Sequence, residues 1–414
     1  RRCTVPDAAP EAAPDFTARR SVRTALLATA GVSMLAGLYA ALLLVVDREP
    51  TAAQRLPDVH GILMVLGFLG TLVALERSVA LRQRWAYAAP LALGIGGLAL
   101  VVPIPLRIGR LLLILGCALA MAVLVHLWRR QEDDPTATQI LGAAMALGAA
   151  ILWTRLDVVD LLPWLVGYIV LTIAAERVEL ARLTMPPHAG RLLLAIGAAV
   201  LMTAALTLLW PSVATRALGL VTLGLVAWLA RSDVARRTIR STGLPRFSAA
   251  ALLCGYVWLA VAGVVWVVGG MPRALAAYDT VVHATFLGFA MSMVMAHAPV
   301  IFPSVLRRPL PYRAAMWNPL VLLQIGLVVR IGLGNGLGLE GPWQIGAVLN
   351  VVALLAFAGV AVVGISVLSA LGTNTEVFGA SVKVRSMVMR AFMASGLKSF
   401  PIAAMAEAWS LAEK

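Results

Sequence analysis

Residues 59–77 read VHGILMVLGFLGTLVALER, and this stretch decides the fold class, because no side chain between His60 and Glu76 carries a charge. Apolar runs of this kind recur along the whole chain of 414 residues, of which 61% are hydrophobic and only 13% charged. The mean hydropathy is +0.89. A soluble domain of this size could not cover so much apolar surface with so few charges, so the sequence predicts an integral membrane protein.

The apolar runs predict an all-α, polytopic transmembrane bundle of about twelve helices. The predicted helices cover residues 23–46, 57–76, 86–104, 108–128, 136–154, 157–176, 189–210, 213–230, 247–270, 278–300, 316–333 and 343–370. The transmembrane domain would occupy residues 23–372. Residues 1–22, rich in Ala, Pro and Arg, are predicted to be a disordered cytoplasmic extension, and residues 373–414 a loose or amphipathic cytoplasmic tail.

The basic residues predict the orientation of the helices. If the N-terminus lies inside, most of the 34 Lys and Arg fall in every second connecting segment, as the positive-inside rule demands. The densest group is the five arginines of residues 231–246. We therefore expect a multi-pass protein of a bacterial inner membrane with both ends in the cytoplasm. Its net charge of +14 reflects this topology, and a lipid bilayer rather than nucleic acid is the expected partner.

An internal repeat indicates how the helices are grouped. Residues 67–82 (GFLGTLVALERSVALR) and 167–182 (GYIVLTIAAERVELAR) align without gaps on the second and sixth helices. The tenth helix repeats Gly288-Phe289 and has His297 where the other two have Glu76 and Glu176. Repetition every four helices suggests three four-helix units around a pseudo-threefold axis. Chance similarity between sequences dominated by Gly, Ala and Leu is the alternative.

Two histidines on separate helices are candidate haem ligands. His60 opens the second predicted helix and His283 lies early in the tenth, so both are expected near the outer face at equal depth. A b-type haem needs two axial nitrogens within an apolar wall. Small neighbours such as Gly61 and Ala284 would let a flat macrocycle approach the backbone. Alternatively, each imidazole is an interfacial side chain that is hydrogen-bonded to a neighbour or to water.

Two further residues are candidates for the same chemistry. In a regular α-helix His297 would share a face with His283 and lie roughly 21 Å deeper, where it could ligate a second haem. Only His126 would be available as its partner, so a histidine packed near Pro299 is the alternative, and we expect one haem b. Arg330, within the apolar eleventh helix, would bind haem propionates or an anionic substrate, unless it snorkels to the outer interface.

These features resemble subunit I of the haem-copper oxidase superfamily. The segment HGILMV at residues 60–65 looks like the helix-two motif that bears one axial ligand of the low-spin haem there, and His283 falls where the second ligand would lie. The length and the segment LRRPLPYR at residues 306–313 are similar to the NnrS family of haem- and copper-containing membrane proteins linked to nitric oxide stress. The resemblance implies a haem protein.

The sequence departs from that superfamily at its oxygen-reducing centre. The sixth helix has no histidine, and neither a His-His pair nor a His-x-His motif occurs. With five histidines in all, the chain lacks ligands for a copper beside a second haem, so we expect no binuclear site and no reduction of oxygen to water by this chain alone.

The predicted function is therefore a haem b-binding membrane protein for electron transfer or for nitric oxide and redox-stress handling. No catalytic residue is identified, and any enzymatic activity would be of the oxidoreductase type. A redox partner protein or further membrane subunits are the expected protein partners. The alternatives are a secondary transporter or permease with His60, His283 and Arg330 along its substrate path, and a structural subunit of a larger membrane complex.

Overall fold

A computed structural model of the protein describes residues 16–46, 55–182, 184–306 and 310–371, and these residues form helices joined by short connections, with no strand among them. The twelve main helices are α1 Phe16–Val46, α2 Arg55–Leu81, α3 Trp85–Val101, α4 Leu106–Gln131, α5 Asp134–Leu152, α6 Val158–Leu180, α7 Ala189–Leu206, α8 Pro211–Ser232, α9 Gly243–Gly269, α10 Leu275–Pro303, α11 Ala314–Asn335 and α12 Glu340–Leu371. A single helical turn, Ala235–Thr238, lies between α8 and α9.

Eleven of these helices are long and apolar enough to cross a membrane, and α3 is a shorter apolar helix. Each coincides with one of the predicted segments, so the expectation of an all-α polytopic bundle is confirmed. Helices satisfy every backbone hydrogen bond internally, which a chain in lipid requires. The protein is a multi-pass membrane protein.

The first helix begins before its predicted start at residue 23. Helix α1 begins at Phe16, so residues 16–22 are helical rather than part of a disordered extension. The last proline before this point is Pro14, and no helix-breaking residue follows it before the apolar run. Residues 1–15 and the predicted tail at 373–414 lie outside the described residues.

The connections between helices are short, which makes consecutive helices antiparallel neighbours. The turn from α4 to α5 shows how the sequence begins and ends a helix. Glu132 ends α4 in the left-handed conformation. The carboxylate of Asp133 then accepts a hydrogen bond of 2.7 Å from the backbone N–H of Thr136 and caps α5, with Pro135 in the first turn.

Helices α2, α6 and α10 lie at the centre of the bundle. At least two thirds of the residues in their membrane-spanning windows are buried, whereas no other of the eleven spans exceeds one half. These three helices follow one another at intervals of four, which is the placement that a repeat of three four-helix units predicts. The described residues up to 360 form one compact unit, and the helical residues 361–371 are assigned to a second.

Three helices contain a wider turn. Residues Leu63–Gly70 of α2, Ala284–Met291 of α10 and Val328–Asn335 of α11 are π-helical. Such segments are rare and are found frequently at functional sites. The first two begin just after His60 and directly after His283, and the third contains Arg330. The bundle therefore departs from regular α-helix beside each of the three residues that the sequence selects as cofactor-binding.

Candidate functional site

His60, His283 and Arg330 line one cavity. Its walls come from α1, α2, α6, α10, α11 and α12, and they are mostly apolar side chains such as Leu38 and Val158. Apolar walls with a few convergent polar groups are typical of ligand and cofactor pockets in proteins. The structure thus brings together the three residues that the sequence proposed for cofactor binding.

His60 is held by a backbone carbonyl of the neighbouring helix. Its Nδ1 lies 2.9 Å from the carbonyl oxygen of Gly37 on α1, and because that oxygen can only accept, Nδ1 carries the proton. Gly37 also leaves room for Met64 of α2, whose Sδ would overlap a Cβ at this position. The Nε2 atom has no hydrogen-bond partner among the described residues, so its lone pair is available to a ligand.

His283 has the same arrangement. Its Nδ1 lies 2.9 Å from the carbonyl oxygen of Asp279 and 3.1 Å from the Oδ1 of the same residue. No residue in the described part of the chain contacts its Nε2 by a hydrogen bond. Histidines that bind metals almost always donate their other ring N–H to a carbonyl or carboxylate, which fixes the tautomer and the ring orientation. In both imidazoles Nε2 is therefore the ring nitrogen without a hydrogen-bond partner among the described residues.

A buried ion pair adjoins His283, and its acidic partner, Asp279, is not among the residues predicted from the sequence. Asp279 accepts hydrogen bonds from Nε of Arg330 at 3.1 Å, from Nη2 of Arg330 at 2.6 Å and from Nδ2 of Asn335 at 2.7 Å. The guanidinium carbon of Arg330 also lies 5.2 Å from the centre of the Trp343 ring. An acidic residue four positions before His283, inside an apolar helix, was the signal that could have identified Asp279.

The snorkelling alternative for Arg330 is wrong. The residue is only 7% exposed and is neutralised by Asp279, so its head does not reach the interface. Helix α12 packs tightly against it at Gly346, where a Cβ would lie 2.5 Å from the backbone nitrogen of Arg330. Among the described residues Nη1 of Arg330 has no hydrogen-bond partner, so its N–H groups can still donate to a ligand.

Asn350 adds a further polar group to this cavity. Its side chain is 2% exposed, and neither the amide nitrogen nor the amide oxygen has a hydrogen-bond partner among the described residues. Buried polar groups without a partner are rare and costly. This asparagine was not selected from the sequence, although a polar residue within the apolar run of α12 is visible there.

A second cavity lies toward the other end of α2, α6 and α10. Glu76, Glu176 and His297, the matching positions of the repeat, all line it. An ion pair links two of these central helices, with Nη2 of Arg77 2.8 Å from Oε1 of Glu176. The convergence of the three positions on one cavity is what the repeat predicts.

His297 is held on both ring nitrogens. Its Nδ1 lies 2.9 Å from the carbonyl oxygen of Met293, and its Nε2 accepts from Nη1 of Arg177 at 3.1 Å. The π-helical turns between His283 and His297 also invalidate the spacing calculated for a regular α-helix. The structure therefore favours the packed histidine over a metal ligand at this position.

Arg177 is fixed in turn by Asp233, which follows α8. The guanidinium donates to both carboxylate oxygens at 2.9 Å, and the Tyr256 hydroxyl donates to Oδ2 at 2.6 Å. Burial alone raises the pKa of Asp233, but the hydrogen bonds and the charge of Arg177 outweigh it and hold this pKa below its ordinary value. The arginine therefore stays paired with an ionised carboxylate.

One family profile matches the chain. It is described as a domain of unknown function (DUF8744), and the match covers residues 23–366. The chain belongs to the DUF8744 family. No curated protein and no solved structure matches it.

The remaining histidines of this DUF8744 chain lie away from both cavities. His188 and His126 are exposed, and the His126 ring packs against Trp85 with 4.9 Å between ring centres. Within the described residues, no group of three or more His, Cys, Asp or Glu side chains could hold a metal ion. A haem held by two imidazoles does not require such a group.

Proposed function

We propose that this DUF8744 protein binds one haem b through His60 and His283 and serves electron transfer or the handling of nitric oxide and redox stress. One observation carries the proposal. Two imidazoles from different helices line the same apolar cavity, each with Nδ1 on a backbone carbonyl and with Nε2 free of protein partners. The proposed relation to the haem-copper oxidase superfamily and to the NnrS family depends on the same two histidines.

The residues around the cavity fit such a group. A bound haem would supply one-electron chemistry at its iron. The apolar wall would exclude water, and Asp279 would orient His283 while neutralising Arg330. The unpartnered Nη1 of Arg330 and the amide of Asn350 would offer hydrogen bonds to carboxylate groups of the ligand.

A permease is the second candidate function, and a specific observation favours it. The π-helical segments of α2, α10 and α11 adjoin a buried Asp279–Arg330 pair within a cavity. Transporters also place irregular helical segments and charged groups around a substrate site. In this reading His60 and His283 would contact the substrate.

Haem content distinguishes the two functions. Protein purified in mild detergent from haem-replete cells is expected to contain one haem b per chain, with the oxidised and reduced absorption spectra of a low-spin, bis-imidazole iron. Copper and iron analysis of the same sample gives the metal stoichiometry. Protein that is folded and monodisperse but free of haem would contradict the proposal, and a permease would then be the remaining candidate function.

We further propose that the protein lies in a bacterial inner membrane with both ends in the cytoplasm. Reporter fusions that signal a cytoplasmic location should be active after Arg84, Arg130, Arg191, Arg240 and Arg313 and inactive near Arg55, Arg107, Pro211 and Gly336. The described helices place these two groups of positions at alternating ends of the spans. A periplasmic signal from residues 231–246 would contradict the orientation, because five arginines in one short segment set topology most strongly.

A further inference from the structure

The connection between α8 and α9 carries a patch of positive charge. Residues 231–246 contain five arginines, and all of them are exposed: Arg231, Arg236, Arg237, Arg240 and Arg246. The ion pairs formed among the described residues include none of the five. This arginine patch therefore presents its cations to the surroundings without a counter-charge from the described part of the chain.

The single acidic residue of the same connection is turned inward. The side chain of Asp233 is 0% exposed and pairs with Arg177 at 2.9 Å. It also accepts a hydrogen bond of 2.9 Å from the backbone N–H of Ala235, in the helical turn that carries two of the arginines. Opposite charges are thus separated in this connection, with the carboxylate inside the bundle and the guanidinium groups outside it.

Aromatic side chains lie beside the arginine patch. Phe247, the residue after Arg246, packs against Tyr312 and Trp317 at the start of α11, with 6.2 and 5.6 Å between ring centres. Nε1 of Trp317 donates to the Tyr312 hydroxyl at 3.1 Å. Tyrosine and tryptophan are enriched where membrane helices meet the lipid headgroups. These rings support a position of the patch at the depth of the headgroups.

An apolar stripe of α9 continues from the patch into the span. Leu253, Val257 and Val264 follow Arg246 at spacings that keep all four side chains on one face of the helix. Leu253 is half-buried, whereas Val257 is 63% and Val264 49% exposed. Val257 lies roughly 16 Å along the helix from Arg246, close to the hydrocarbon depth of one leaflet, about 15 Å. A lipid with its head at Arg246 can therefore lay its chains along this face.

We propose that the arginine patch and the α9 stripe together bind a phospholipid with an anionic headgroup, such as phosphatidylglycerol. The phosphate oxygens would accept hydrogen bonds from the guanidinium groups, whose planar geometry suits phosphate. A nucleic acid or a soluble anion would contact the arginines and leave the apolar stripe unused. The inference goes beyond the proposed function, since it depends neither on haem nor on which leaflet faces the patch.

The test measures lipid binding to the full chain in detergent micelles by native mass spectrometry. The probes are dioleoyl phosphatidylglycerol and dioleoyl phosphatidylcholine, which share their chains and phosphate but differ in net charge. The anionic lipid should bind roughly 10-fold or more tightly than the zwitterionic one, because each arginine near the headgroups favours an anionic lipid. Glycerol 3-phosphate in large excess should not displace it. Displacement would mean that the patch takes a free phosphate and would overturn the assignment to a lipid.

Two triple variants locate the site. Replacing three arginines of the patch by glutamine should weaken binding of phosphatidylglycerol roughly 10-fold or more and leave that of phosphatidylcholine unchanged: Arg236→Gln, Arg237→Gln and Arg240→Gln. The matched control removes the same charge from three exposed arginines at the opposite ends of the spans and should retain the preference: Arg107→Gln, Arg155→Gln and Arg216→Gln. Size-exclusion profiles matching the unsubstituted protein show that the variants fold.

Equal affinity for the two lipids, or an equal loss of phosphatidylglycerol binding in the two triple variants, would overturn the proposal. The preference for the anionic lipid is also expected in His60→Ala, which lacks a proposed haem ligand and leaves the arginine patch unchanged. Loss of haem with a retained lipid preference therefore separates a failure of the proposed function from a failure at this surface.

Discussion

Replacing either His60 or His283 by alanine is expected to abolish the bis-imidazole spectrum. Each ring supplies one Nε2 to the same cavity, and no other histidine in the described residues lines that cavity, so no side chain can take the place of the one removed. The measurement is the absorption spectrum and haem content of each purified variant. Addition of free imidazole should restore part of the low-spin spectrum where the alanine leaves space.

The matched controls are His126→Ala and His188→Ala. Both residues are exposed and lie outside the two cavities, so these variants should retain the full haem content and an unchanged spectrum. A spectrum that survives in His60→Ala and His283→Ala, or disappears equally in the control variants, would show that the haem is not held by this pair.

Asp279→Leu is expected to destabilise the folded protein by about 3–5 kcal/mol. The substitution leaves the guanidinium of Arg330 buried with no counter-ion, because Asp279 is the only carboxylate paired with it among the described residues. The double variant Asp279→Leu with Arg330→Met should recover most of this loss, since removing both charges removes the cost of burying one alone. The free energy of unfolding can be measured by denaturant titration in detergent micelles.

Asp160→Leu is the matched control for this substitution. Asp160 also pairs with an arginine at 2.8 Å, but the side chain of that residue, Arg273, is 62% exposed and can be solvated when its partner is lost. The expected cost is therefore about 1 kcal/mol or less. If Asp279→Leu costs no more than Asp160→Leu, the carboxylate of Asp279 is not what keeps Arg330 in the interior.

Sequence reasoning identified the two histidines but not the groups that orient them. His60 and His283 are visible because an ionisable side chain in an apolar helix is rare, and because both helices run in the same direction. The partner of His60 is a carbonyl oxygen on α1, at Gly37. A carbonyl is present at every residue, so composition and spacing contain no signal for this contact.

The sequence alone determined which segments form the long apolar helices. Every backbone group in lipid must be paired within its own helix, so length and hydropathy, which are local properties, are enough to locate the spans. Even α3, the shortest, was found in this way. The repeat of three four-helix units stays a prediction, which the central position of α2, α6 and α10 supports.

Only the tertiary structure decided the pairing of charges and the course of the helices beside the site. Asp279 meets Arg330, and Arg177 meets Asp233 and His297, across separations of 51, 56 and 120 residues. Such contacts depend on how helices rotate and tilt when packed, which periodicity does not encode. The π-helical segments of α2, α10 and α11 were likewise not predicted, because apolar periodicity locates a helix but does not distinguish a π-helical from an α-helical hydrogen-bond pattern.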